Sequence, residues 1–160
     1  MGSADRLCKA CADLLEVDGA ALSVVRDGTV HGTLGASGAL SRRLDELQFT
    51  FGEGPCLEAV RTGQPVLVKD LAAAEEQRWP ALAEAMLEAG VRGLAAMPVM
   101  IAASSVGALD LFSSSVGSLS DTDLSGARWA AQLAALPVLD LIDESATGIR
   151  QSAAKTAGRI

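Results

Sequence analysis

The dipeptide Asp27-Gly28, which lies between two runs rich in Ala, Val and Thr, constrains the fold of this chain more than any other feature. An Asp-Gly pair in that setting is typical of a two-residue turn that folds one strand back on the next. We therefore predict strands over 20–26 and 29–35 that pair antiparallel. A hairpin this early in the chain favours a fold built on an antiparallel sheet.

The simplest register of this hairpin pairs Val24 with His31 and Leu22 with Thr33. His31 then shares a sheet face with Leu22 and Val24. It is the only histidine of the chain, so a metal site built from several histidines is ruled out. His31 either bonds a ligand at the sheet face or is a satisfied residue of the core or its rim, which is the more common case.

The remaining elements follow from apolar periodicity and from the positions of glycine and proline. The patterns predict helices over about 3–16, 42–48 and 55–61, a helix from residue 80, a final helix from residue 121 or 122, and strands over 65–69, 91–101 and 105–113. Pro98 inside one of these strands indicates an edge or a bulge. This order of elements indicates an α+β fold with helices packed on an antiparallel sheet.

Length, charge and composition limit the possible partners. The chain has 160 residues, which suits a single domain. Its net charge is −7 and dense runs of Lys and Arg are missing, so we expect no direct binding to nucleic acid or to an anionic membrane. Apolar runs are too short for a transmembrane helix. Three cysteines are too few for a disulfide scaffold, which favours a cytoplasmic location.

Three blocks of sequence, taken together and in order, resemble a GAF domain. They read LQFTFGEGPCLEAVRTGQPVLVKDL, RWPALAEAMLEAGVRGLAAMPV and SSVGALDLFSSSVGSLSDTDL. The similarity covers residues 4–143 and is greatest to the GAF domains found ahead of ANTAR RNA-binding modules in actinobacterial regulators. Residues 144–160 are too few for an ANTAR module, and we interpret them as a polar tail or a linker stub.

The resemblance implies a central six-stranded antiparallel sheet with helices on both faces and a small-molecule pocket on one side. It also implies a sensory function and a homodimer formed through the first and last helices. The ligand and any cofactor remain unknown at this stage, because the signatures of cyclic-nucleotide and bilin binding are not evident.

Asp110 is the sharpest polar signal among the candidate ligand-binding residues. It lies in the apolar strand 105–113, on the same face as Ala108 and Phe112. A carboxylate there must be paired, solvated or directed into a cavity. We weigh a pocket residue equally against a partner of Arg92 or of a backbone donor.

Cys56 is a second candidate, placed after the turn Gly52-Glu53-Gly54-Pro55 at a predicted helix start. The free N–H groups of a helix start favour a thiolate. The spacing is similar to a Gly-x-Gly-x-Cys block of free-methionine-sulfoxide reductases, which are GAF-fold enzymes. However, residues 71–97 contain no resolving cysteine. A buried and unreactive Cys56, which can still line a pocket, is the favoured interpretation.

Trp79 and Met97 are further candidates for a pocket wall, although core packing is the more common role of both residue types. Cys8 and Cys11 form a C-x-x-C on the apolar side of the first helix. A zinc site needs a second pair of ligands, so we expect packing, with an intersubunit disulfide as the alternative.

The favoured function is a small-molecule-binding sensory domain that gives signal input to a transcriptional or signalling regulator, with a ligand shifting the terminal helices. A ligand-free dimerisation scaffold is the alternative, and a thiol-based redox sensor or reductase is the third hypothesis; we do not expect an enzyme. A ligand-sized cavity beside Asp110 favours the first, filled packing there the second, and an exposed Cys56 thiolate the third.

Overall fold

The computed structural model describes the backbone of residues 2–26, 29–117, 119 and 121–157, and their side chains apart from those of 26, 29–31, 121–122 and 142–157. Ten helices and strands lie within these residues. In chain order they are α1 Ser3–Leu14, β1 Gly19–Arg26, β2 Thr29–Ala36, α2 Ala39–Phe51, α3 Pro55–Thr62, β3 Val66–Val68, α4 Pro80–Glu88, β4 Gly93–Ile101, β5 Ser104–Ser113 and α5 Asp121–Ala157.

The strands form one antiparallel sheet in the order β2-β1-β5-β4-β3. The predicted α+β class with an antiparallel sheet is confirmed. The expected six strands are wrong, because the described residues form five. Five strand patterns are also what the residues themselves carry, and the sixth came only from the resemblance. After the three-residue edge strand β3, the chain runs through turns up to α4 rather than adding a strand.

The β1–β2 hairpin contains two irregularities that change its register. The observed pairs include Arg26 with Thr29, Val24 with Gly32, Ser23 with Thr33, and Leu22 with Gly35. The predicted pairing of Val24 with His31 and of Leu22 with Thr33 is therefore wrong. Each shift inserts an unpaired residue and displaces β2 along β1. As a result, the Ser23 and Thr33 side chains come together.

Helices cover both faces of the sheet, as predicted. On one side, called the α1/α5 face, α1 and α5 pack on an apolar core that includes Leu22, Met97, Leu109 and Val138. On the other, called the α2–α4 face, α2, α3 and α4 pack around residues such as Leu82 and Met86. Side chains alternate between the faces along each strand.

Glycine and proline set the junction between α2 and α3. Gly52 ends α2 with φ 67°, Gly54 has φ 143°, and Pro55 is the first residue of α3. Such positive φ values are accessible to glycine at little cost. The predicted turn and helix start are confirmed. Pro98 lies at a sheet edge, as predicted. Strand β3 pairs with β4 only over 94–96, so β4 has a single partner strand, β5, at Pro98.

The last helix, α5, continues in backbone conformation past Pro137 and through residues 144–157. The interpretation of 144–160 as a polar tail or a linker stub stays a prediction. Among the helices that the structure describes, none combines the length and the apolar composition needed to cross a bilayer.

Candidate functional site

Asp110 lies in the middle of β5, is fully buried and is directed to the α2–α4 face. Gln48 Nε2 donates to its Oδ2 at 2.7 Å, whereas its Oδ1 has no hydrogen-bond partner among the described residues. Arg92 is not its partner, because Arg92 pairs with Asp70 at 3.0 Å. Burial, and then the charge of Asp45, raise the pKa of Asp110 well above its usual range.

Asp45 of α2 is the second fully buried carboxylate of this region. Ser23 Oγ lies 2.8 Å from both of its oxygens, and Thr33 Oγ1 donates to Oδ2. The irregular register of the hairpin places both hydroxyls on this side chain. They replace the water that an exposed carboxylate would bind.

Gln48 connects Asp110 to the start of α3. Its Oε1 accepts a hydrogen bond from the Cys56 backbone N–H at 2.8 Å, while its Nε2 binds Asp110. Gly54 makes this approach possible, because a Cβ at that position would lie 2.5 Å from Gln48 Oε1. The glycine-rich turn therefore docks the α3 N-terminus on a side chain of α2.

The Cys56 thiol is fully buried and donates to Ser23 Oγ at 3.4 Å. Burial first, and then the nearby Asp110 and Asp45 carboxyls, raise its pKa well above the usual range. These effects outweigh the helix start, which alone favours a thiolate. Cys56 is thus buried, as the favoured interpretation predicts, and its thiol is shielded from solvent.

Together these side chains form what we call the buried polar cluster, defined as Ser23, Thr33, Asp45, Gln48, Cys56 and Asp110. It joins β1, β2, α2, α3 and β5. One carboxyl oxygen each of Asp45 and Asp110 and the Cys56 Sγ lie within 4.8 Å of one another. Thr33 is half-buried, whereas the other members are fully buried. Such an arrangement can accept a proton or a cation.

Of the five residues predicted to bind a ligand, only Asp110 and Cys56 belong to the buried polar cluster. Trp79 is buried in the core of the α2–α4 face, with the Arg78 guanidinium 4.4 Å above its ring. Met97 packs on the α1/α5 face. The His31 side chain lies outside the described residues.

Cys8 and Cys11 are buried between α1 and the sheet as free thiols. Burial is the main cause that raises the pKa of Cys8 to about 12, and it also raises the pKa of Cys11. Packing within the chain is therefore their role in this structure.

Three cavities of about 510, 940 and 480 Å³ lie at the surface. The first is lined by Lys69, Leu94 and Leu124, the second by Arg61, Met100 and Ser105, and the third by Leu40, Gly90 and Ser113, among others. Asp110, Cys56, Trp79 and Met97 line none of these three. The ligand-sized cavity expected beside Asp110 is not among them.

Sequence reasoning missed four members of the cluster: Ser23, Thr33, Asp45 and Gln48. A signal was present in α2, where Ser41, Leu44, Asp45 and Gln48 are the buried residues. They recur at the three- and four-residue spacing of one helix face. A search for apolar stripes overlooks such a face, because most of it is polar.

The family model described as GAF domain matches residues 3–136 of the chain. No curated protein matches this chain in sequence. Several solved structures are similar. One is the GAF domain region of a protein from Geobacter sulfurreducens PCA, with 21% identity, coverage of 84% of this chain and 89% of that chain, and a TM-score of 0.67.

Two further structures show the same fold. The type II free methionine-R-sulfoxide reductase of Thermoplasma acidophilum has 20% identity, coverage of 86% and 92%, and a TM-score of 0.64. The blue-light absorbing form of the Thermosynechococcus elongatus PixJ GAF domain has 16% identity, coverage of 92% and 90%, and a TM-score of 0.64.

Proposed function

The chain belongs to the GAF family of sensory and signalling domains, and from this premise we propose that it is the ligand-sensing input of a transcriptional or signalling regulator. The buried polar cluster carries the proposal. Polar and acidic groups cost folding free energy when they are buried. Clusters of this kind, with a strongly perturbed carboxyl, are typical of functional sites.

Strand β5 offers a route from the cluster to the terminal helices. Asp110 contacts α2 on one face, while its neighbours Leu109 and Leu111 pack on the α1/α5 face. A ligand that alters the Asp110 contacts would shift β5 and thereby favour one arrangement of α1 and α5.

Native mass spectrometry of the purified, reduced protein tests the sensor proposal. We expect a non-covalent adduct that is absent from the denatured mass. Its mass should be that of a small metabolite, up to about a few hundred daltons. Asp110→Asn should lower its occupancy, whereas Asp140→Asn, which changes an exposed carboxylate of α5, should not. The proposal would be rejected if native mass spectra show no adduct and a thermal-shift screen finds no stabilising metabolite.

The alternative function, a ligand-free dimerisation scaffold, is favoured by the full burial of Asp110, which lines none of the three cavities. We propose a homodimer through α1 and α5 in either case. Large apolar side chains are exposed along one stretch of α5: Trp129, Leu133, Leu136 and Leu139. Their three- and four-residue spacing is typical of a helix that packs on a partner helix.

A matched pair of substitutions tests this dimer. Leu133 and Leu40 are both 48% exposed, but Leu40 lies on α2. Leu133→Glu should convert the dimer to a monomer in light scattering after size exclusion, because a charge is buried at the interface. Leu40→Glu should leave it dimeric. A monomeric wild type contradicts the proposal.

A thiol-based function is the least supported. The reductase structure at 20% identity indicates a shared fold. Cys56 is buried with a raised pKa, and Cys8 and Cys11 pack in the core of the opposite sheet face. Rapid alkylation of Cys56 in the native protein would support a thiol-based function.

We further propose that the chain is related to the GAF domains of actinobacterial GAF-ANTAR regulators. We also propose a cytoplasmic location and no direct contact with nucleic acid, in line with the net charge of −7.

A further inference from the structure

The buried polar cluster holds two carboxyls close together, and the described residues supply no positive group beside them. Asp45 and Asp110 are both fully buried. Their hydrogen-bond donors in the described part of the chain are the neutral groups of Ser23, Thr33 and Gln48. The ion pairs described all lie elsewhere. Two buried carboxyls this close need either a shared proton or a cation between them.

One ligand atom in the cluster is also free. Asp110 Oδ1 is buried and has no hydrogen-bond partner among the described residues, although Oδ2 is held by Gln48. The same carboxyl lies within 4.8 Å of an Asp45 oxygen and of Cys56 Sγ. An unpartnered buried oxygen beside a second carboxylate and a thiol is a common feature of a cation site.

We propose that Asp45, Cys56 and Asp110 bind one divalent cation of borderline softness, with Zn²⁺ as the best match. This inference deepens the proposed function, on which it rests, by naming the class of the ligand. Zn²⁺ accepts thiolate and carboxylate ligands together in a tetrahedral site. The thiol disfavours Mg²⁺ and Ca²⁺, which prefer oxygen ligands, and the two carboxylates disfavour Cu⁺.

The geometry needs only a small contraction. Zn–O and Zn–S bonds of 2.0–2.3 Å place ligand atoms of one ion roughly 3.3–3.8 Å apart. The three atoms, already within 4.8 Å of one another, therefore need to approach by at most about 1.5 Å. Ser23 Oγ lies next to two of these ligands, 2.8 Å from an Asp45 oxygen and 3.4 Å from Cys56 Sγ.

Outer contacts already orient the ligands. Gln48 holds Asp110, while Ser23 and Thr33 hold Asp45. Partners of this kind fix the direction of ligating groups in metal sites. The full burial of all three ligands also favours an ion over an organic molecule, because the ion takes the place of protons and needs no ligand-sized cavity.

Such an ion would link three elements, because Asp45 lies on α2, Cys56 at the start of α3 and Asp110 on β5. Binding releases the protons of the Cys56 thiol and the Asp110 carboxyl, so affinity should rise with pH. Occupancy would draw both helices toward β5, which also packs on the α1/α5 face.

Cobalt substitution tests the site directly. The reduced protein is treated with a chelator, exchanged into metal-free buffer and titrated with Co²⁺. We expect one ion per chain by elemental analysis, the visible bands of tetrahedral cobalt and a near-ultraviolet thiolate-to-cobalt band. Zn²⁺ should displace the Co²⁺. Cys56→Ser should lose the thiolate band, whereas Cys11→Ser should keep it.

Asp110→Asn is the second variant, and circular dichroism verifies that each variant is folded. The Asp110→Asn substitution should weaken Co²⁺ binding by more than about 100-fold, which is beyond the effect of altering an outer contact. Absence of stoichiometric binding, or an unchanged thiolate band in folded Cys56→Ser, would overturn the proposal. An organic adduct in native mass spectra with no bound metal overturns the cation but preserves the sensor, so the two failures are distinguishable.

Discussion

The two faces of the sheet are packed by different chemistry. On the α1/α5 face the core is apolar, with Leu22, Leu109 and Met97 among its buried side chains. The α2–α4 face has an apolar core of its own, but it also encloses the carboxyls of Asp45 and Asp110. The strands are shared, so the difference lies in the residues that alternate along them and in the helices they meet.

This contrast separates structure from function within one domain. Burial of apolar area stabilises the fold wherever it occurs. Burial of carboxyls does so only if donors or cations compensate them. The α1/α5 face therefore contributes stability and joins the terminal helices to the sheet. The α2–α4 face gives up part of that stability because it encloses the two carboxyls.

Leu109→Ala should have the largest effect, because it opens a cavity in the apolar core of the α1/α5 face. Leu109 is fully buried, so we expect a loss of about 3–5 kcal/mol in the free energy of unfolding. Urea denaturation followed by circular dichroism measures it. Leu67→Ala is the control, since Leu67 is 41% exposed on the edge strand. A loss as small as that of the control would mean that this face is not close-packed.

Gln48→Leu should have the next largest effect. Leucine preserves the volume, but the Cys56 backbone N–H and Asp110 Oδ2 lose their partner. Leaving two buried polar groups unpaired should cost about 2–4 kcal/mol. Gln64→Leu, at an exposed position, should stay within about 0.5 kcal/mol of the wild type. A loss below about 1 kcal/mol would indicate that water replaces the glutamine.

Asp110→Asn should have the opposite sign in the metal-free protein. Folding raises the pKa of Asp110, so its stabilising contribution is complete below the unfolded pKa of about 3.9 and is lost as the pH rises toward the folded pKa. Asparagine keeps the shape and does not titrate. The variant should match the wild type near pH 4 and exceed it by a margin that grows as the pH rises toward 7.

Urea unfolding at several pH values, with a chelator present, measures this difference. Asp140→Asn is the control for an exposed carboxylate. A difference that stays constant with pH would show that Asp110 ionises in the folded protein as readily as in the unfolded chain, which the burial of both carboxyls argues against.

The sequence predicts the α1/α5 face better than the α2–α4 face, for a physical reason. Apolar periodicity, Asp27-Gly28 and Pro55 reflect local preferences, and they locate most helices and strands. The partners of Asp110 are set by tertiary contacts 62 residues apart in the chain, as with Gln48. They also depend on the hairpin register, which two irregularities shifted. The sequence thus identifies Asp110 as a carboxylate in an apolar strand, but it does not show that Asp45 and Gln48 are its neighbours.

Serine substitutions at Cys8 and Cys56 should give the smallest effects and compare the two faces most directly. Both thiols are fully buried, so the volume change is the same. A serine at position 56 can donate to Ser23 Oγ, which already accepts from the thiol. A serine at position 8 lies in an apolar core, where the structure describes no side-chain partner for Cys8.

We therefore expect Cys8→Ser to cost about 1–2 kcal/mol and Cys56→Ser less than about 1 kcal/mol, both by urea denaturation in the presence of a reductant. The ordering matters more than either value, because it reports whether the buried polar cluster can satisfy an added hydroxyl. If Cys56→Ser costs as much as Cys8→Ser, the cluster is too rigid to accept one. Loss of the thiolate band in Cys56→Ser could then result from strain at position 56 as well as from loss of the ligand. The cation site would therefore be tested by the metal affinity of Asp110→Asn.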